Sequence, residues 1–81
     1  MEQTVYVVEV YDQYHDVVST MVVSELVDPR HYGAPDWWFD WRYASSVYAI
    51  EHTVDSYRPV QDVGFNPKWT WDTKHNQWTR C

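Results

Sequence analysis

The chain has 81 residues, a formal net charge of −6, two glycines and one cysteine. That length makes one small domain, residues 1–81, with a thin core, since such a domain buries only about 60–65% of its unfolded surface. The composition excludes a membrane-spanning helix, for want of an apolar run near 18 residues, as well as a Gly-rich phosphate loop and an internal disulfide framework built on Cys81.

Residue usage favours sheet. Valine and threonine are abundant, while leucine occurs once, at Leu26, and alanine at three positions. Helix formers are therefore scarce and β-formers plentiful. Six Trp, seven Tyr and two Phe carry about 3,000 Å² of aromatic surface, at roughly 200 Å² each. A core this small cannot cover all of it, so some rings are expected at the surface, where an interaction site would be. Charge is uneven. Residues 1–40 hold eight acids against Arg30, whereas residues 67–81 hold Lys68, Lys74 and Arg80 against Asp72.

Taken in chain order, the opening MEQTVYVVEV is acidic and passes directly into an alternating pattern, without the basic and apolar regions of a signal peptide. With an unpaired Cys81, it points to a reducing cytoplasm. Thr4–Asp12 and Val17–Val27 read as strands joined by the polar loop DQYHD. The register that matches their patterns sets Tyr11 opposite Val17, Glu9 opposite Ser19, Val7 opposite Met21 and Val5 opposite Val23. Both faces of that hairpin are largely apolar, so it is expected to be central and covered on each side.

Asp28–Pro35 breaks the pattern with two prolines and a glycine. PDWWFDWRY then admits two readings. As a helix over 36–45 with Pro35 at its start, it lines up Trp37, Trp41, Ala44 and Tyr48, with Asp36 and Asp40 on the far side near the helix start. As a strand over 37–43 it alternates more cleanly, with Trp37, Phe39, Trp41 and Tyr43 on one face. The helix is preferred, because Ala44-Ser45-Ser46 is a poor tight turn and the sheet needs a cover. Ser46–Ser56 alternates again, with Tyr48, Ile50 and Val54 on one side. Tyr57–Phe65 is irregular, and Pro59 demotes it to an edge or crossing segment.

The last segment, KWTWDTKHNQWTR, resembles the second hairpin of the protein G immunoglobulin-binding domain and the tryptophan-zipper peptides built on it. The likeness implies a conformation only. It sets Asp72 opposite Gln77, Trp71 opposite Trp78, Thr70 opposite Thr79 and Trp69 opposite Arg80. Arg80 departs from the zipper pattern and is placed to stack on an indole. A looser likeness covers residues 4–28 and 47–55. VYVVEVYD, a second strand and YAIEHTVDS are similar to small phage-encoded proteins of β-β-α-β type. That resemblance implies a phage origin and binding to a host protein.

Chemistry is thinly represented. His15, His31, His52 and His75 lack the spacing of a metal site. No serine sits in a nucleophile elbow, and Asp36 and Asp40 fit solvated acids at a helix start. No metal, cofactor or catalytic function is expected. A tryptophan surface could stack bases, but single-stranded nucleic acid needs a basic groove beside it, and an acidic chain opposes phosphates. Neither nucleic acid nor membrane is an expected partner.

The fold expected from these readings is a β-dominated α+β domain. Its antiparallel sheet consists of two hairpins plus a middle strand, with one short aromatic helix packed on it; the alternative is all-β. The expected function is that of a small non-enzymatic protein-binding protein in the host cytoplasm, a phage-encoded inhibitor of a host enzyme or defence component acting by occlusion. Trp, Tyr and Arg concentrate binding energy at interfaces. The partner-binding residues expected are accordingly Trp37, Trp38 and Trp41 with Asp36 and Asp40, the acids steering a basic partner. The alternatives are a homo-oligomeric or virion-associated structural protein, and an acidic nucleic-acid mimic that blocks a DNA-binding protein.

Overall fold

Alternating apolar residues draw the chain into five antiparallel strands, seen in a computed structural model that describes residues 2–55 and 67–81. The strands are β1 (Glu2–Tyr11), β2 (Val17–Val23), β3 (Ser46–Asp55), β4 (Lys68–Asp72) and β5 (Gln77–Arg80). They form one sheet in the order β2-β1-β3-β4-β5. The expected edge or crossing segment at Tyr57–Phe65 lies outside the described residues.

The β1–β2 loop is tied by Asp12. Its Oδ1 accepts from the Tyr14 and Asp16 amides at 2.8 and 3.0 Å, and His15 takes a φ of 65° to close the turn. Tyr11 then faces Val17 as expected, but the pairing slips by one residue directly afterwards. Val10 faces Ser19, Val8 faces Met21 and Tyr6 faces Val23. One residue at the Val17–Val18 end is absorbed as a bulge. Because side chains alternate, this slip moves Met21 and Val23 from the face of Val5 and Val7 to the face of Val8 and Val10. The reward is burial, since Val8, Val10 and Val23 all join the core.

Among the described residues the first hairpin is not covered on both sides as expected. β2 forms one edge of the sheet and stops at Val23 rather than Val27. Ser24–Val27 instead turns away to begin the segment that covers one sheet face. The register places Tyr6, Val8 and Val10 of β1, Val47 and Ala49 of β3, Trp69 and Trp71 of β4 and Trp78 of β5 on that covered face. Pro29, Ala34, Trp38 and Ala44 come down on it from residues 24–45. The opposite face carries Val7, Ile50, Tyr48 and Lys68.

The helix expected over 36–45 does not form, nor does the alternative strand over 37–43. A single 3-10 turn spans Asp36–Phe39, and Asp40 leaves it in an extended conformation. The cause lies in Asp40 itself. Its Oδ1 accepts from the Arg42 amide at 3.0 Å, and its carbonyl accepts from the Tyr43 and Ala44 amides, each at 2.9 Å. The side-chain bond to the Arg42 amide competes with continuation of the 3-10 turn, and the carbonyl bonds start a separate turn from Asp40 onward. A second 3-10 turn spans Pro29–Tyr32, capped by the Asp28 carboxylate on the Arg30 amide and closed by Gly33 at a φ of 92°. The described residues contain no α-helix, so the fold is an open antiparallel β-sheet with short 3-10 cover.

Candidate functional site in the aromatic loop

Residues 35–46 connect the cover to β3 and hold the aromatic cluster singled out by the sequence. The loop is fixed at both ends. At its start the Trp38 amide donates to the Pro35 carbonyl at 3.2 Å. At its end the Ser45 amide donates to the Tyr11 carbonyl at 2.8 Å and the Ser45 hydroxyl to the Asp12 carbonyl at 2.7 Å. Between these anchors Asp40 holds Arg42 with two further short contacts, Nε to Oδ1 at 3.0 Å and Nη2 to Oδ2 at 2.7 Å. Those hydrogen bonds, from the side chain first and the Arg42 amide second, hold the Asp40 carboxyl below the usual carboxylate range.

The structure divides the expected contact residues. Trp38 is 3% exposed and belongs to the core, whereas Trp41 is 85% exposed and Trp37 37% exposed. Asp36 is exposed, while the charge of Asp40 is matched by Arg42. Trp37 and Trp38 meet edge to face at 6.3 Å between ring centroids. Phe39 packs against Trp71 at 5.7 Å and lies under the Arg30 guanidinium at 4.3 Å. Tyr43, which sequence reasoning did not include, is exposed two residues after Trp41, with Arg42 5.6 Å from its ring. Only the strand reading, which put Trp41 and Tyr43 on one face, held a trace of it.

Between this loop and the sheet lies a cleft of about 190 Å³. Trp38, Phe39 and Trp71 line it with Trp41, and the small residues Ala44, Ser45, Ser46 and Thr73 complete it. The indole N–H groups of Trp38 and Trp71 are both buried without a hydrogen-bond partner among the described residues. Leaving a buried donor unmatched costs about 1–3 kcal/mol, so two of them beside one cleft is a costly arrangement. The core-side indole of Trp78 behaves differently. Trp78 Nε1 donates to the Val27 carbonyl at 3.0 Å, pinning the start of the cover to β5.

Among the described residues no group of three or more His, Cys, Asp or Glu stands together. None of their helices is long and apolar enough to cross a membrane. Comparisons with protein-family models, curated proteins and solved structures find no match for the chain.

Proposed function

We propose that this protein works by binding another protein, with Trp41 as the anchor and the adjoining cleft as its receiving surface. The carrying observation is the exposure of Trp41 on a loop whose backbone is tied down by Asp40 and Ser45. A large ring left in water costs solvation, and a rigid mount spares the ordering cost on association. Trp37 and Tyr43 extend the aromatic surface, and Asp36 supplies a rim charge for steering. Occlusion of the partner, rather than chemistry, is the mode of action. That the partner is a host enzyme or defence component, bound by a phage-encoded inhibitor, rests on the strand-pattern resemblance alone.

The test is quantitative capture from lysate of the candidate host with wild-type, Trp41→Ala and Tyr14→Ala baits. Tyr14 is equally exposed but lies in the β1–β2 loop. A specific protein retained by wild-type and Tyr14→Ala but lost with Trp41→Ala is the expected result, and its retention should change little with added salt. Retention by Trp41→Ala would move the contact elsewhere. Capture that collapses with salt would favour an acidic mimic of nucleic acid.

A further inference from the structure

We propose that β2 pairs edge to edge, antiparallel, with β2 of a second copy of the chain, making a continuous ten-stranded sheet about a two-fold axis near Thr20. Three independent observations carry this. The outer edge of β2 has no strand beside it among the described residues, so its outward amides and carbonyls are open to a further strand. The strand VVSTMVV contains no charge and no proline, two of the devices by which natural edges discourage such pairing, and the bulge, a third such device, is confined to its Val17–Val18 end. The exposed large aliphatic side chains of the described residues are Val17, Val18 and Val22, all on β2, and Val22 is 65% exposed.

The identity of the occupant follows from the strand's own pattern. VVSTMVV reads nearly the same in both directions, with valine pairs at each end and Thr20 at the centre. An antiparallel two-fold about Thr20 sets Val18 against Val22 of the second copy, and Val22 against Val18. β-branched cross-strand pairs of this kind favour association. Charge points the same way. The chain carries −6 overall, which opposes the approach of like copies over most of their surface, but β2 brings no charge to the contact. The opposite edge differs, because β5 is four residues long and holds Arg80 stacked on Trp69 at 5.0 Å. A two-fold contact is also self-limiting, since it uses the β2 edge of both copies and leaves β5 outermost. Trp41 has no part in this pairing.

Sedimentation velocity across a concentration series tests the pairing on the full chain, together with Val22→Lys and Val22→Thr. The wild type is expected to sediment as a dimer. Val22→Lys should raise the dissociation constant about tenfold or more, by setting a charged edge residue against Val18 in both Val18–Val22 pairs, and Val22→Thr should largely preserve the dimer. Val22 faces water, so the folded signal in circular dichroism should be unchanged. A second measurement does not depend on that variant. In a Cys81→Ser background, Thr20→Cys should form an intermolecular disulfide on mild oxidation, because residues facing each other across a two-fold lie within disulfide reach. Thr79→Cys on the opposite edge should not. A strict monomer at high concentration, a species that grows without limit, or cross-linking through Thr79→Cys in place of Thr20→Cys would each overturn the proposal.

Discussion

Trp38 and Trp41 are three positions apart, chemically identical and opposite in fate. What separates them is Asp40, which leaves the 3-10 turn in an extended conformation and takes the Arg42 amide on its carboxylate, so that Trp41 stands beyond the turn that holds Trp38. Asp72 performs a similar office in the β4–β5 turn, accepting from the Lys74 amide at 3.0 Å and lying 2.7 Å from His75 Nδ1. The hydrogen bond from the His75 ring is the largest cause of a lowered carboxyl pKa at Asp72, as that from Arg42 is at Asp40. A depressed folded-state pKa contributes stability that is present above the unfolded value and is lost as pH falls through the folded one. Carboxyl carbon NMR titration should therefore show both aspartates titrating below the ordinary carboxylate range. In His75→Ala the midpoint of Asp72 should move upward while that of Asp40 stays in place. An unshifted Asp72 in that variant would contradict the assigned cause.

At the scale of elements, legibility tracked the range of the forces involved. The β4–β5 hairpin forms in the register that its threonine–tryptophan alternation implies, with Trp71 opposite Trp78, Thr70 opposite Thr79 and Arg80 opposite Trp69. There the deciding contacts are cross-strand neighbours, such as the edge-to-face pair of Trp71 and Trp78 at 5.3 Å. β3 was equally plain, since a period of two over ten residues admits no rival. The β1–β2 register was not legible, because a one-residue bulge at Val17–Val18 leaves no mark in a strand apolar on both faces. The aromatic loop misled for a different reason: its helical stripe was real as a pattern, but Asp40 diverts the backbone through its own side chain. Nor could the pattern tell that Trp38 is core and Tyr43 surface. The long-range tie from Trp78 Nε1 to Val27 was likewise invisible. Its removal in Trp78→Phe should cost about 1–2 kcal/mol, combining a lost hydrogen bond with a smaller ring. For a domain of this size that is a fall of roughly 4–16 °C in Tm by calorimetry. An unchanged Tm would show that the cover holds without this bond.

At the scale of the whole molecule, the described residues form a single sheet with one face covered by short turns rather than by a helix. Such a core is small, and its net stability should fall near 4–12 kcal/mol for 81 residues. Against that figure, Trp38 and Trp71 are each indispensable, and their unmatched indole donors show that packing was satisfied before hydrogen bonding. Trp41 stands outside this economy. It adds a large aromatic surface to the exterior of a chain that has little stability to spare, and recognition is the use proposed for it. Equilibrium urea unfolding of Trp38→Ala and Trp41→Ala, followed by far-ultraviolet circular dichroism, tests this division most directly. Trp41→Ala should stay within about 0.5 kcal/mol of wild type, while Trp38→Ala should lose about 3–5 kcal/mol and much of its folded baseline. Comparable losses in the two variants would make Trp41 a structural residue and remove the basis for its role as an anchor.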